Sequence, residues 1–129
     1  MVPDVIGTGS PEDVNRLWEL LTRRGIPPTS PHRVQFSIAC PTCAIGEFLV
    51  QYLEHSANFG PAVLRAAVSE DAEEYWDLDI TSYERSLSLA FLLTVCSTVH
   101  AATKRFGCRL YAWGRAHRPA PHAGGLTSA

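Results

Sequence analysis

A run of 24 residues from Ser82 to Arg105 contains neither glycine nor proline, and it constrains the possible folds more than any other feature. Its apolar residues recur at helical spacing, and its middle is apolar on nearly every side, which is typical of a helix buried at the centre of a domain. Thr81 followed by Glu84 resembles a capping box at its start, and Gly107 follows its end. We therefore predict a mainly α fold: a small helical domain around a long central helix at 82–106, with one or two short β-strands.

Two shorter helices are predicted to wrap around the central one, near residues 11–24 and 44–56. The first has Ser10 as a suitable N-cap, and the second carries apolar residues at helical spacing from Ile45 to Leu53. Between them, alternation of polar and apolar residues from Arg33 to Ile38 predicts a half-buried strand. We also predict a strand at residues 108–113, the last element of the domain. The pattern of residues 61–79 does not clearly favour one type of secondary structure, and we expect short helices there.

The charges are distributed unevenly, although the formal net charge is only −2. Residues 1–103 carry all 13 acidic and six of the 11 basic residues, whereas residues 104–129 carry five basic residues and no acidic one. The last residues are also rich in proline, glycine, alanine and histidine. We predict a single globular domain at 1–113 and a disordered basic tail at 114–129.

These observations favour a protein partner, contacted through helix faces and exposed aromatic residues. Nucleic acid is a weaker alternative through the basic tail, because five charges without interleaved aromatic residues are a small electrostatic footprint. The apolar part of the long helix, Ser86–Ala102, contains several polar residues, so we expect no membrane span. The oligomeric state is left open.

The cellular compartment is predicted from the cysteines and from the start of the sequence. Four cysteines in 129 residues are too few for a disulfide scaffold. The first residues have neither the basic nor the apolar region of a secretory signal. We therefore expect a cytoplasmic or nuclear protein in a reducing environment.

Four residues suggest a metal site. Cys40 and Cys43 form a CxxC pair where the predicted strand meets the next helix. Cys96 and His100 are four residues apart on the long helix, hence on one face. Together they form a Cys3His set, the composition of a closed structural zinc site, with Cys108 as a possible substitute for His100. The leading prediction is therefore a zinc-stabilised adaptor or accessory, regulatory interaction module without catalytic activity.

Two alternatives for the cysteines remain open. A strand followed by a CxxC pair that opens a helix resembles the thioredoxin-like active site. That resemblance implies a thiol–disulfide oxidoreductase in which Cys40 is the nucleophile and Cys43 the resolving thiol. The other alternative is that the thiols are inert, with Cys96 a buried core residue. Whether the protein is an enzyme is thus undecided, with a preference for a non-enzyme.

Overall fold

The computed structural model describes residues 4–27, 30–56 and 59–116. This part of the chain forms three helices and seven strands. In chain order they are β1 (Val5–Ile6), α1 (Pro11–Arg23), β2 (Pro31–His32), β3 (Val34–Cys40), α2 (Cys43–Glu54), β4 (Phe59–Val68), β5 (Glu74–Ser82), β6 (Arg85–Ser86), α3 (Leu89–Arg105) and β7 (Arg109–Arg115).

The main sheet has five strands in the order β1-β7-β3-β5-β4, and all neighbouring strands are antiparallel. A separate two-stranded ribbon joins β2 to β6. Without β6, which belongs to the ribbon, the elements from β3 to β7 follow the order βαββαβ, the ferredoxin-like or split βαβ motif. The buried residues of the strands and helices form one hydrophobic core, so the helices cover one face of the sheet and leave the other open.

Phe36, in the middle of β3, lies at the centre of this core and is fully buried. Its ring stacks on Trp113 of β7, with centroids 6.0 Å apart, and meets Phe59 of β4 edge to face at 6.1 Å. Aromatic pairs in these geometries stabilise a core beyond the burial of their area. This aromatic cluster connects the central strand β3 to strands on either side of it in the sheet, β7 and β4.

The prediction of a mainly α fold is wrong, because the protein is a mixed α/β sandwich with a large antiparallel sheet. The segment left undecided forms the hairpin of β4 and β5, paired from Phe59↔Ser82 to Val68↔Glu74 with one irregularity. In β5 the side chains alternate: Leu78 and Ile80 are buried, and Asp77 and Asp79 lie on the other face. This period of two was present in the sequence and indicates a strand.

The predicted central helix is also shorter than expected. Helix α3 begins at Leu89, where the Ser88 hydroxyl accepts a hydrogen bond from the Phe91 amide. Ser82, the first residue of the predicted helix, is instead the last residue of β5, which spans residues 74–82. No helix of the described residues is long and apolar enough to cross a membrane.

The first two helices and the first long strand agree closely with the sequence prediction. Ser10 caps α1 by accepting from the Asp13 amide, and Thr42 caps α2 in the same way. Strand β7 continues to Arg115, whose guanidinium and amide both donate to Asp4. Residues 117–129 of the predicted tail lie outside the described part of the chain, so the domain division stays a prediction.

Candidate protein-interaction site

Helix α2 exposes two large aromatic side chains while its opposite side packs into the core. Leu49 and Leu53 are fully buried, whereas Phe48 is 58% and Tyr52 46% exposed. A surface helix normally has a single apolar stripe facing inward and polar residues elsewhere. Two exposed aromatic residues one turn apart therefore mark this face of α2 as a candidate contact surface.

These aromatic residues line an open groove of about 600 Å³. Phe106, at the C-cap of α3, forms its other side, and its ring meets that of Tyr52 edge to face at 5.5 Å. The Phe106 amide donates to the Ala102 carbonyl, and Gly107 takes a positive φ of 69°, which ends the helix and fixes Phe106 at its terminus. We call this surface the aromatic groove; it is lined by Phe48, Gln51, Tyr52, His55, Ser56 and Phe106.

The rim of the aromatic groove is cationic. The Arg105 guanidinium lies 5.5 Å from the centroid of the Tyr52 ring and 5.9 Å from that of Phe106. Lys104, the preceding residue in the chain, is also exposed, and none of the six lining residues is acidic. Arginine stacked on aromatic rings keeps its donors available for a carboxylate, so this groove suits an anionic and apolar partner.

The open face of the sheet differs because its charged groups already interact with each other. Asp79 accepts hydrogen bonds from Ser37 and Arg65, both at 3.0 Å, and Asp77 accepts one from the Tyr111 hydroxyl at 2.6 Å. Burial raises the pKa of Asp77, although the Tyr111 hydrogen bond opposes that shift. A partner would have to break these contacts, so the sheet face is the weaker candidate.

The structure does not assemble the predicted zinc ligands. Cys40 is buried at the end of β3, Cys96 is buried in α3, and His100 is exposed on α3. Cys43 is the first residue of α2, with its Sγ 3.9 Å from Glu47 Oε2. Within residues 4–27, 30–56 and 59–116, no three His, Cys, Asp or Glu side chains are grouped so that they could hold a metal ion. The zinc site therefore stays a prediction.

The thioredoxin-like alternative requires a thiol with a lowered pKa at the position of Cys40. Burial, reinforced by the neighbouring Cys108 thiol, instead raises the Cys40 pKa from 9.0 to about 12. Burial likewise raises the Cys96 pKa to about 12. The thiolate is the reactive form of cysteine, so neither Cys40 nor Cys96 has the readily ionised thiol that the thioredoxin-like alternative requires.

We therefore expect alkylation to distinguish the cysteines. At pH 7.5, iodoacetamide should label Cys43 in the folded protein at least about tenfold faster than Cys96, because Cys96 is buried and its thiolate is scarce. Peptide mass spectrometry at timed intervals measures both rates, and protein unfolded in guanidinium is the control in which the two rates converge. Labelling of Cys96 as fast as Cys43 in the folded state would contradict this assignment.

Comparison with known proteins supplies the family of the chain. A search of curated proteins finds no match. A protein-family model, RraB, described as regulator of ribonuclease activity B, matches residues 12–114, from the first turn of α1 to near the end of β7. This description agrees with the coarser part of the sequence prediction, a regulatory protein that acts through a protein partner. With most of its length matched, the chain belongs to the RraB family.

Proposed function

We propose that this protein is a non-catalytic regulator that binds a ribonuclease through the aromatic groove and changes the rate of RNA cleavage. The observation that carries the proposal is the exposed pair Phe48 and Tyr52 beside Phe106, in a chain whose family is described as regulating a ribonuclease. Exposed aromatic and arginine side chains are the residue types that contribute most to protein–protein binding.

The groove favours a particular kind of contact. An apolar side chain of the ribonuclease would pack between Phe48 and Tyr52, and a nearby carboxylate would pair with Arg105. Burial of an aromatic anchor supplies affinity, and the charge pair directs orientation and raises the association rate. Such a contact needs only a short segment of the partner.

The polar groups of the groove support binding and not catalysis. A His55 ring nitrogen lies 2.6 Å from the Gln51 carbonyl oxygen, and the Ser56 hydroxyl donates to the Leu53 carbonyl at 2.8 Å. These contacts direct both side chains at their own helix, not at each other as in a nucleophile–base pair. Neither the predicted zinc site nor the thioredoxin-like alternative is part of the proposal. Metal analysis of the native protein remains the check on zinc.

The proposal also narrows the predicted location. Contact with a ribonuclease requires both proteins in one compartment, and of the two predicted compartments we propose the cytoplasm. The family match lends no support to the nuclear half of the prediction.

An activity assay tests the proposal. Ribonucleases purified from the same organism are each incubated with a fluorescent RNA and increasing amounts of this protein. We expect the cleavage rate of one of them to change and to saturate, while the protein alone cleaves nothing. The Tyr52→Ala variant should need at least about tenfold more protein for the same effect. The matched control is Tyr83→Ala, because Tyr83 is 52% exposed but does not line the groove.

Two results would contradict the proposal. If no ribonuclease responds to the wild-type protein, the regulatory function itself is wrong. If Tyr52→Ala acts at wild-type concentrations, regulation uses a surface other than the aromatic groove.

A further inference from the structure

Two of the four cysteines are neighbours across the sheet, a pairing that the CxxC spacing does not suggest: Cys40 ends β3, and Cys108 immediately precedes β7. Strands β3 and β7 are antiparallel, and Ala39 is paired with Arg109. If this register is continued by one residue beyond the paired strands, it brings Cys40 opposite Cys108. Because side chains alternate along a strand and Ile38 and Leu110 point into the core, both thiols lie on the same, helix-covered face.

The two thiols are close enough for each to alter the other's pKa, and both cysteines are reduced. Residues directly opposite each other in an antiparallel pair have Cα atoms about 4.5–5.5 Å apart. That spacing falls within the range of about 4.4–6.8 Å found for disulfides. The strand register therefore places the two residues at a Cα separation that a disulfide can span.

We propose that Cys40 and Cys108 form a modification site, a dithiol that is converted reversibly to a disulfide by low-molecular-weight disulfides such as oxidised glutathione. The inference is independent of the proposed function. It replaces the CxxC pairing of Cys40 with Cys43 by a pairing across the sheet.

The reaction starts at Cys108, which is partly exposed, whereas Cys40 is 1% exposed. The Cys108 thiol loses its proton and attacks one sulfur of oxidised glutathione. This step forms a mixed disulfide and releases one glutathione thiolate, which takes up a proton. The Cys40 thiol then loses its proton and attacks the Cys108 sulfur, releasing the second glutathione. The two protein thiols lose two electrons, and oxidised glutathione is reduced to two thiols.

Burial determines the rate of this reaction. It raises the pKa of both thiols, so few thiolates are present at neutral pH and the exchange accelerates as the pH increases. Cys108 also lies two residues after Phe106 of the aromatic groove, with its Sγ 3.8 Å from the Phe106 carbonyl oxygen.

Peptide mapping of the whole protein tests the proposal. Wild-type protein is incubated with oxidised glutathione at pH 8.5, remaining thiols are blocked with N-ethylmaleimide, and the protein is digested with trypsin without reduction. Trypsin places Cys40 and Cys43 together in peptide 34–65 and Cys108 in peptide 106–109. We expect these two peptides to be joined, and dithiothreitol to separate them. Formation should be several-fold faster at pH 9 than at pH 7.5.

Two variants identify the sulfur in peptide 34–65. Cys43→Ser should retain the joined peptides, and Cys108→Ala should lose them. The proposal is overturned if a disulfide forms inside peptide 34–65, if Cys43→Ser abolishes the link, or if all four wild-type thiols remain available to N-ethylmaleimide after incubation at pH 9.

Discussion

Replacement of Phe36 by alanine should lower the free energy of unfolding by about 3–5 kcal/mol, the range found for phenylalanine truncations in protein cores. The residue is fully buried, and its ring contacts both Trp113 and Phe59. Its loss leaves a cavity at the centre of the sheet, where the surrounding strands cannot close in. Urea unfolding followed by circular dichroism measures the change.

The chain provides a matched control for this substitution. Phe48→Ala is the same change at a residue that is 58% exposed on α2, and it should cost less than about 1 kcal/mol. Equal losses for Phe36→Ala and Phe48→Ala would mean that the core is not centred where the structure places it, or that Phe48 is not a surface residue.

The second large effect is expected on binding. Tyr52→Ala should weaken the affinity for the regulated ribonuclease by about 30-fold or more, corresponding to roughly 2 kcal/mol for a central aromatic contact. Truncation removes the ring that contacts both Phe106 and the Arg105 guanidinium, so it disrupts the aromatic and the cationic part of the groove together. Isothermal titration calorimetry measures the dissociation constant.

The controls for this experiment separate binding from folding. Tyr83→Ala removes an equally exposed tyrosine outside the groove and should leave the affinity within about twofold of wild type. Arg105→Glu should weaken binding and reduce its salt dependence, because a charge pair at an interface is screened by salt. Equal losses in Tyr52→Ala and Tyr83→Ala would argue against the groove as the binding site.

Local signals in the sequence were sufficient for the parts of the fold that depend on local chemistry. Ser10 and Pro11 define the start of α1 through capping and a fixed φ, both properties of one or two residues. The alternation in β3 likewise reflects a strand with one buried face. These elements could be predicted because their determinants lie within a few residues.

The hairpin of β4 and β5 could not be predicted from local sequence signals in the same way. Alanine and leucine in β4 favour a helix locally, but backbone pairing along β5 overrides that preference. Ala72, in the turn between the two strands, has a positive φ of 64°, a conformation that is uncommon for alanine and that its residue type therefore does not predict. The error in fold class follows from this single segment.

The site was harder to predict, since it depends on contacts between distant residues. Phe48 and Tyr52 belong to the same apolar spacing as Leu49 and Leu53, and the sequence cannot say which of them faces outward. The available sequence signal was that the apolar residues of α2 cover a broad arc of this short helix, wider than one buried stripe needs. The cysteines show the same limit: Cys40 adjoins Cys108 instead of the expected partners because strand register, not sequence distance, sets their neighbours.

The central claim is that a ribonuclease binds in the aromatic groove, and hydroxyl-radical footprinting of the complex tests it most directly. This method reports the solvent exposure of individual aromatic side chains, and Phe48, Tyr52 and Tyr83 are all about half exposed in the free protein. We predict that oxidation of Phe48 and Tyr52 falls at least about fivefold on complex formation, as expected for residues at the buried centre of an interface, while oxidation of Tyr83 is unchanged. Unchanged oxidation of Phe48 and Tyr52 in a saturated complex would contradict the account.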